Sequence, residues 1–134
     1  MIFVDTGAWY ALMDATDPNH ASALAFSRDL ARGSLGRLVT SDYVLAESYT
    51  LCRFRGGIEP LRRLAAHIRG SPNLRTLRDT DTEYERALET MISREDKRWS
   101  FTDCTSFVLM EALSIPDAFA FDENFAQAGF TVHP

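Results

Sequence analysis

A chain of 134 residues, 46% hydrophobic and 25% charged, is the size of one domain with one core. A net charge of −5 excludes a protein coated in positive charge for nucleic acid. No run approaches the roughly 20 apolar residues of a membrane helix, and no basic segment precedes a signal-like apolar stretch. Cys52 and Cys104 stand in no metal-ligand spacing, which points to reduced thiols in a cytoplasmic protein. Residues 1–134 contain no repeat or linker that would divide them.

The first predicted element is a strand: Met1, Ile2, Phe3 and Val4 form the unbroken apolar run of a strand buried on both faces. Asp5 ends it, and Gly7–Met13 reads as a short helix. Asp17 reads as an N-cap with Pro18 at the first helical position, opening a helix to about Arg32. Arg37–Ser41 is a short strand, and Ser41 caps a helix from Asp42 to about Phe54, ended by Gly56 and Gly57. The next helix begins near Pro60, carries Leu61, Leu64, Ala65 and Ile68 on one face, and ends at Gly70.

Asn73–Leu77 is a further strand. Thr80 and Glu83 form a capping box, and Tyr84, Ala87, Leu88, Met91 and Ile92 make the clearest amphipathic stripe. A helix with Thr102 as N-cap and Asp103 in its first turn follows. Asp117–Phe121 is a strand delivering Asp122; a short helix to Gly129 and a strand over Phe130–Val132 close the chain. Strands alternating with helices predict an α/β fold, a three-layer sandwich around a mostly parallel sheet.

In such a sheet the working crevice lies at the carboxyl ends of the strands. Asp5 and Asp122 each follow an apolar strand, and Asp103 opens a helix, so all three belong to that edge. Glu47 shares with Val44, Ser48 and Leu51 a predicted helix face that should be turned to the core, and it has no lysine nearby to pair with. Each acid alone has a bland role as a cap or a dipole partner. Together they require several accidents at one edge.

Oxygen ligands select hard cations such as Mg²⁺ or Mn²⁺. His20, His67 and His133 stand in no ligand pattern, and no histidine base is placed beside Ser48, Ser106 or Cys104. Carboxylates holding such ions activate water and clamp a scissile phosphate, which predicts a metal-dependent phosphodiesterase. Of the 14 basic residues 13 are arginines; Arg53, Arg55, Arg62, Arg63 and Arg69 cluster either as an RNA-facing patch or as a solvated helix face. Asp5-Thr6-Gly7 is also the triplet of aspartic proteases, but those are all-β. A dehalogenase-like phosphatase wants an Asp where Gly7 stands, and a receiver domain would have only Lys97 for its lysine. The remaining alternatives are an acidic-site phosphatase of another kind and a non-catalytic module binding RNA or protein, although four acids would repel phosphate.

The segments "FVDTGAWYAL", "LAESYTL", "FTDCTSFVLM" and "AFAFDENFAQAGF" resemble, in order and spacing, the four acidic motifs of the PIN domain. The likeness is to VapC-type ribonuclease toxins of bacterial toxin–antitoxin systems, and it covers essentially the whole chain. The resemblance implies an acidic quartet of Asp5, Glu47, Asp103 and Asp122 that is both catalytic and metal-binding. Thr6 and Thr102 fall beside those acids, where they would orient carboxylates or metal-bound water. Glu123 directly follows the fourth acid and could share its role. The family also implies Mg²⁺- or Mn²⁺-dependent RNA endonuclease activity, homodimers, and a cognate antitoxin whose tail enters the acidic groove.

Overall fold

The computed structural model describes residues 1–134. Five parallel strands, β1 (Ile2–Val4), β2 (Leu38–Ser41), β3 (Leu74–Leu77), β4 (Asp117–Phe119) and β5 (Thr131–His133), form one sheet in the order β3-β2-β1-β4-β5. β1 is central, which explains its uninterrupted apolar sequence: Ile2, Phe3 and Val4 are all buried. The chain builds outward from β1 through β2 to β3, then returns to the other side of β1 for β4 and β5. The strand order therefore reverses between β1 and β4, and the carboxyl ends of those two strands flank the crevice.

Seven helices cover the sheet: α1 (Thr6–Met13), α2 (His20–Ala31), α3 (Asp42–Leu51), α4 (Ile58–Gly70), α5 (Asp81–Ser93), α6 (Phe101–Ala112) and α7 (Asn124–Gln127). α1 packs against α2, α3 and α4, while α5 and α6 pack on each other. Right-handed crossovers in opposite directions from β1 place these groups on opposite faces of the sheet. Trp9, Phe3, Phe119, Phe125, Leu64 and Met110 are among the largest side chains in the core. Thr40, fully buried, is satisfied on both sides: Trp9 Nε1 donates to its hydroxyl at 3.2 Å, and the hydroxyl donates to the Val4 carbonyl at 2.9 Å. α2 is held more thinly, with only Ala23 and Leu30 buried, and an apolar cleft of about 670 Å³ separates it from α4 and the sheet.

Several element boundaries differ from the sequence reading. α2 begins at His20 rather than Pro18, because Asp17 accepts from the Asn19 N–H at 2.8 Å and forms a turn before the helix instead of capping it. α3 ends at Leu51 and continues as a π-helical turn over Cys52–Gly56; Gly57, at φ 94°, then reverses the chain into α4. β4 stops at Phe119, so Asp122 lies three residues beyond the strand rather than directly after it. α6 is capped by Ser100, not Thr102: the Ser100 hydroxyl accepts from the Asp103 N–H and the Asp103 carboxylate accepts from the Ser100 N–H, a reciprocal box. Thr102 sits inside the first turn. The Thr80–Glu83 box and the Ser41 cap form as the sequence predicts. The α5 stripe is only partly covered, since Ala87 is buried while Tyr84, Leu88, Met91 and Ile92 remain exposed.

Candidate active site

Asp5 is placed by two neighbours. Its N–H donates to the Phe119 carbonyl at 3.0 Å, carrying the β1–β4 ladder one residue past the strand, and its carboxylate caps α1 by accepting from the Gly7 N–H at 3.4 Å. The capping role and a site role are therefore compatible. The carboxylate is buried, no cation pairs with it, and its only partners are backbone N–H groups at the start of α1. Burial pushes it up to about 7, reinforced by the charges of Asp122 and Asp103. Asp14 shows what a structurally satisfied acid looks like here. It accepts from the Tyr10 hydroxyl and from both the N–H and hydroxyl of Thr16, and those bonds hold it down at about 2.

Asp103 occupies the third position of α6. Its Oδ2 accepts from the Ser100 N–H at 2.8 Å and from Asn124 Nδ2 at 3.0 Å; burial nevertheless raises its pKa, with Glu47 adding to the rise. Asp122, exposed to solvent, caps the turn into α7 by accepting from the Asn124 N–H at 3.0 Å; partial desolvation first and Asp103 in addition raise its pKa. Asn124 thus ties the third acid to the fourth. The sequence reading missed it; an Asn two residues after a candidate acid, at the start of a short helix, was its only signal.

Glu47 corrects the expectation that it lies on a buried stripe. Val44 and Ser48 are buried, but Glu47 is exposed, because at about 100° per residue it falls well to one side of that pair. Its Oε2 accepts from the Thr6 hydroxyl at 3.4 Å, which brings α3 to the start of α1. Thr6 therefore touches an acid as the sequence suggested. Thr102 does not: its carbonyl accepts from the hydroxyls of Thr105 and Ser106, and no bond joins its own hydroxyl to a carboxylate. Glu123 is exposed beside Asp122 and makes no side-chain cap to α7.

The four acids act on one another in a chain: Asp122 and Asp103 on Asp5, Asp103 on Asp122, and Glu47 on Asp103. No three carboxylates close into a ready-made cage. The donor set still fits a hard cation, since every donor is oxygen and Asp5 is a buried carboxylate lacking a counter-charge. Mg²⁺ suits such an open arrangement because it keeps several waters and takes only one or two carboxylates directly. A further acid at this edge, Asp79, follows β3; both its oxygens are buried without a partner, and burial beside Asp42 and Glu83 lifts it to about 6.

The clustered arginines lie elsewhere. Arg63 Nη1 donates to the Met13 carbonyl at 3.1 Å, Arg55 stands over the Tyr10 ring, and Arg62 pairs with Glu59. The Met13 contact is at the far end of α1 from Asp5, about 12 Å along the helix, and Tyr10 lies about 7.5 Å along it.

A parallel sheet in this order, with acids from four different segments gathered at its carboxyl edge, defines the PIN domain, and the PIN-domain family model matches residues 2–131. The chain belongs to that family. Within it the chain is similar to VapC-type ribonucleases. It is 38% identical over 130 residues, 97% of this chain and 95% of the relative, to the 23S rRNA-specific endonuclease VapC20 of Mycobacterium tuberculosis. It is 26% identical to a VapC ribonuclease of Archaeoglobus fulgidus, covering 92% of this chain and 78% of that one. The crystal structure of M. tuberculosis VapC20, described as a sarcin–ricin loop cleaving toxin, superposes over all of both chains with a TM-score of 0.88 at 36% identity. These likenesses support an RNA endonuclease of the toxin kind, not a phosphatase or a non-catalytic module.

Proposed function

We propose that this protein is a divalent-metal-dependent endoribonuclease toxin that cuts 23S rRNA in its sarcin–ricin loop. The observation that carries the mechanism is Asp5: a buried carboxylate without a counter-charge, raised by that burial and further by two other acids of the same crevice. Mg²⁺ or Mn²⁺ held by Asp5, Glu47, Asp103 and Asp122 would activate water and clamp the scissile phosphate for in-line attack. Thr6 orients Glu47, while Ser100 and Asn124 fix Oδ2 of Asp103 and leave its Oδ1 unengaged. Ribosomes incubated with the protein and Mg²⁺ should yield a discrete 23S fragment whose end maps to that loop. Cutting that persists undiminished in EDTA would remove the metal from the mechanism.

No helix is long and apolar enough to cross a membrane; the toxin reading places the protein in the cytoplasm with its rRNA target. A toxin must be restrained, so we propose a cognate antitoxin that inserts an arginine or lysine among the carboxylates. Charge-assisted bonds to several acids would be strong and would compete with metal. Excess Mg²⁺ is expected to weaken that complex, measured by titration calorimetry.

We further propose a homodimer through the last two turns of the uncovered apolar face of α5, where Ile92 is 68% and Met91 42% exposed, about 10 Å along the helix from Tyr84. Met91→Glu/Ile92→Glu is expected to sediment as a monomer and to keep its circular dichroism spectrum. A dimer unchanged in mass would move the interface away from α5.

A further inference from the structure

Beside the acids stands a cluster of aromatic rings that the acid chemistry leaves unused. Tyr43 lies one turn before Glu47 on α3, a rise of about 6 Å along the same face. Phe101 lies two residues before Asp103 in the first turn of α6. The two rings meet edge to face at 5.7 Å between centroids, and Tyr84, from the first turn of α5, meets Phe101 edge to face at 5.1 Å. Three elements thus bring their rings together on the segments that carry Glu47 and Asp103. They are not core: Tyr84 is 42% exposed, and Tyr43 and Phe101 are half-buried. In an edge-to-face pair the ring that offers its edge keeps its own faces free of that contact.

The charges around the cluster are mixed: Asp42, Asp79 and Glu83 stand next to the rings, and two arginines lie further out. Arg78, directly after β3, has a side chain 85% exposed and reaches Asp42 only at 4.0 Å. Arg98, exposed, precedes the Ser100 cap of α6. Both belong to the carboxyl edge of the sheet, one on each side of the rings in the chain's topology. A surface of aromatic faces with cations at its margins is how proteins hold unpaired bases while tracking the phosphates. Acids repel phosphate, so a base held on aromatic faces supplies affinity that the carboxylates do not.

We propose that Tyr43, Phe101 and Tyr84 form a stacking shelf for an unpaired base of the RNA substrate, set beside Glu47 and Asp103. This inference rests on the ribonuclease reading and adds to it how the substrate is held. It requires the base next to the scissile bond to be unstacked from its neighbours, so that loops are bound and duplex is not.

The test separates the shelf from the chemistry. Binding is measured with Asp5→Asn protein, without metal, to a 23S-derived stem–loop carrying 2-aminopurine in its loop, by fluorescence. Cleavage of the unlabelled stem–loop is measured with the otherwise wild-type chain. Adding Tyr84→Ala is expected to weaken binding by about 5- to 150-fold, the range for losing one base-stacking contact, and to raise KM with kcat little changed. Tyr84→Phe is expected to bind like its parent. Melting curves and sedimentation establish that the variants remain folded and keep the parent's oligomeric state. Unchanged affinity and KM on Tyr84→Ala would overturn the shelf, as would a fall in kcat alone, or weakened self-association with RNA binding intact. If wild-type protein cuts no RNA, the ribonuclease reading fails first, and the 2-aminopurine signal still reports on the shelf.

Discussion

Replacing Asp5 with Ala is expected to lower the single-turnover rate of RNA cleavage at saturating Mg²⁺ by about a thousandfold. That factor corresponds to about 4 kcal/mol, a fair share of the several kcal/mol that a positioned metal contributes to transition-state charge stabilisation. Asp5→Asn should lose nearly as much, since it keeps the shape and the α1 cap but not the charge. Glu47→Ala and Asp103→Ala should also remove most activity. Thr6→Val should cost tenfold or less, because it only loosens Glu47 through a bond of 3.4 Å. Quench-flow cleavage of an end-labelled stem–loop measures all five. A Thr6→Val loss equal to that of Asp5→Ala would mean that the hydroxyl, and not the acid quartet, carries the chemistry.

Metal-free Asp5→Asn should melt well above the metal-free wild type at pH 7.5, although it is catalytically dead. The sign follows from proton counting. Asp5 ionises at about 7 in the folded protein and at about 3.9 in the unfolded chain. Between those values the folded state binds more protons, so its stability falls as pH rises, by up to about 1.4 kcal/mol per pH unit. Over the window from pH 4 to 7 the loss is of the order of 4 kcal/mol, and it is complete above pH 7. Asp14 has the opposite sign, but its contribution disappears only as pH falls below 4, outside this window. The two proteins should therefore melt together at pH 4.5 or below and diverge on the alkaline side. Mg²⁺ should narrow the gap, since a ligand at 100 times its Kd stabilises by about 2.7 kcal/mol and the variant would forgo much of that. Asp103→Asn should gain less, because Oδ2 of Asp103 loses charge-assisted bonds from Ser100 and Asn124. Scanning calorimetry at both pH values, in EDTA and in Mg²⁺, reads the whole pattern. A wild type whose melting point is flat from pH 4.5 to 7.5 would show that Asp5 is not held as described.

The central strand and the capped helices were legible because their signals are local. An apolar run ending at Asp5 can hardly be anything but a buried parallel strand, and Thr80 with Glu83 specifies a helix start within four residues. The N-caps of α2 and α6 were harder for the same reason: Asp17 and Asn19, or Ser100 and Thr102, are neighbours with equivalent capping chemistry. Only the reciprocal bond to Asp103 decides for Ser100. Asp5, Asp103 and Asp122 could be placed at one edge by topology alone. The exposure of Glu47 could not, since a shift of one position round a helix separates a core residue from a surface one. Asn124 was invisible as a partner of Asp103 because the two lie 21 residues apart and meet only through the fold. The exposed face of α5 reads as core in sequence, where an apolar stripe carries no mark of what will cover it.

The Asp5 N–H is bonded to a carbonyl more than a hundred residues later in the chain, and this has a consequence for synthesis. A polypeptide emerging amino end first presents β1 at once, yet β1 sits in the middle of the sheet and waits for β4 before its second side is paired. The four acids arrive in the order 5, 47, 103, 122, each on a different segment. Non-local pairings of this kind form late and cooperatively. A nascent or truncated chain therefore has no assembled crevice, and the capacity to cut RNA appears only when the sheet closes around its oldest strand. For an enzyme read as attacking ribosomes, that ordering spares the ribosome that makes it.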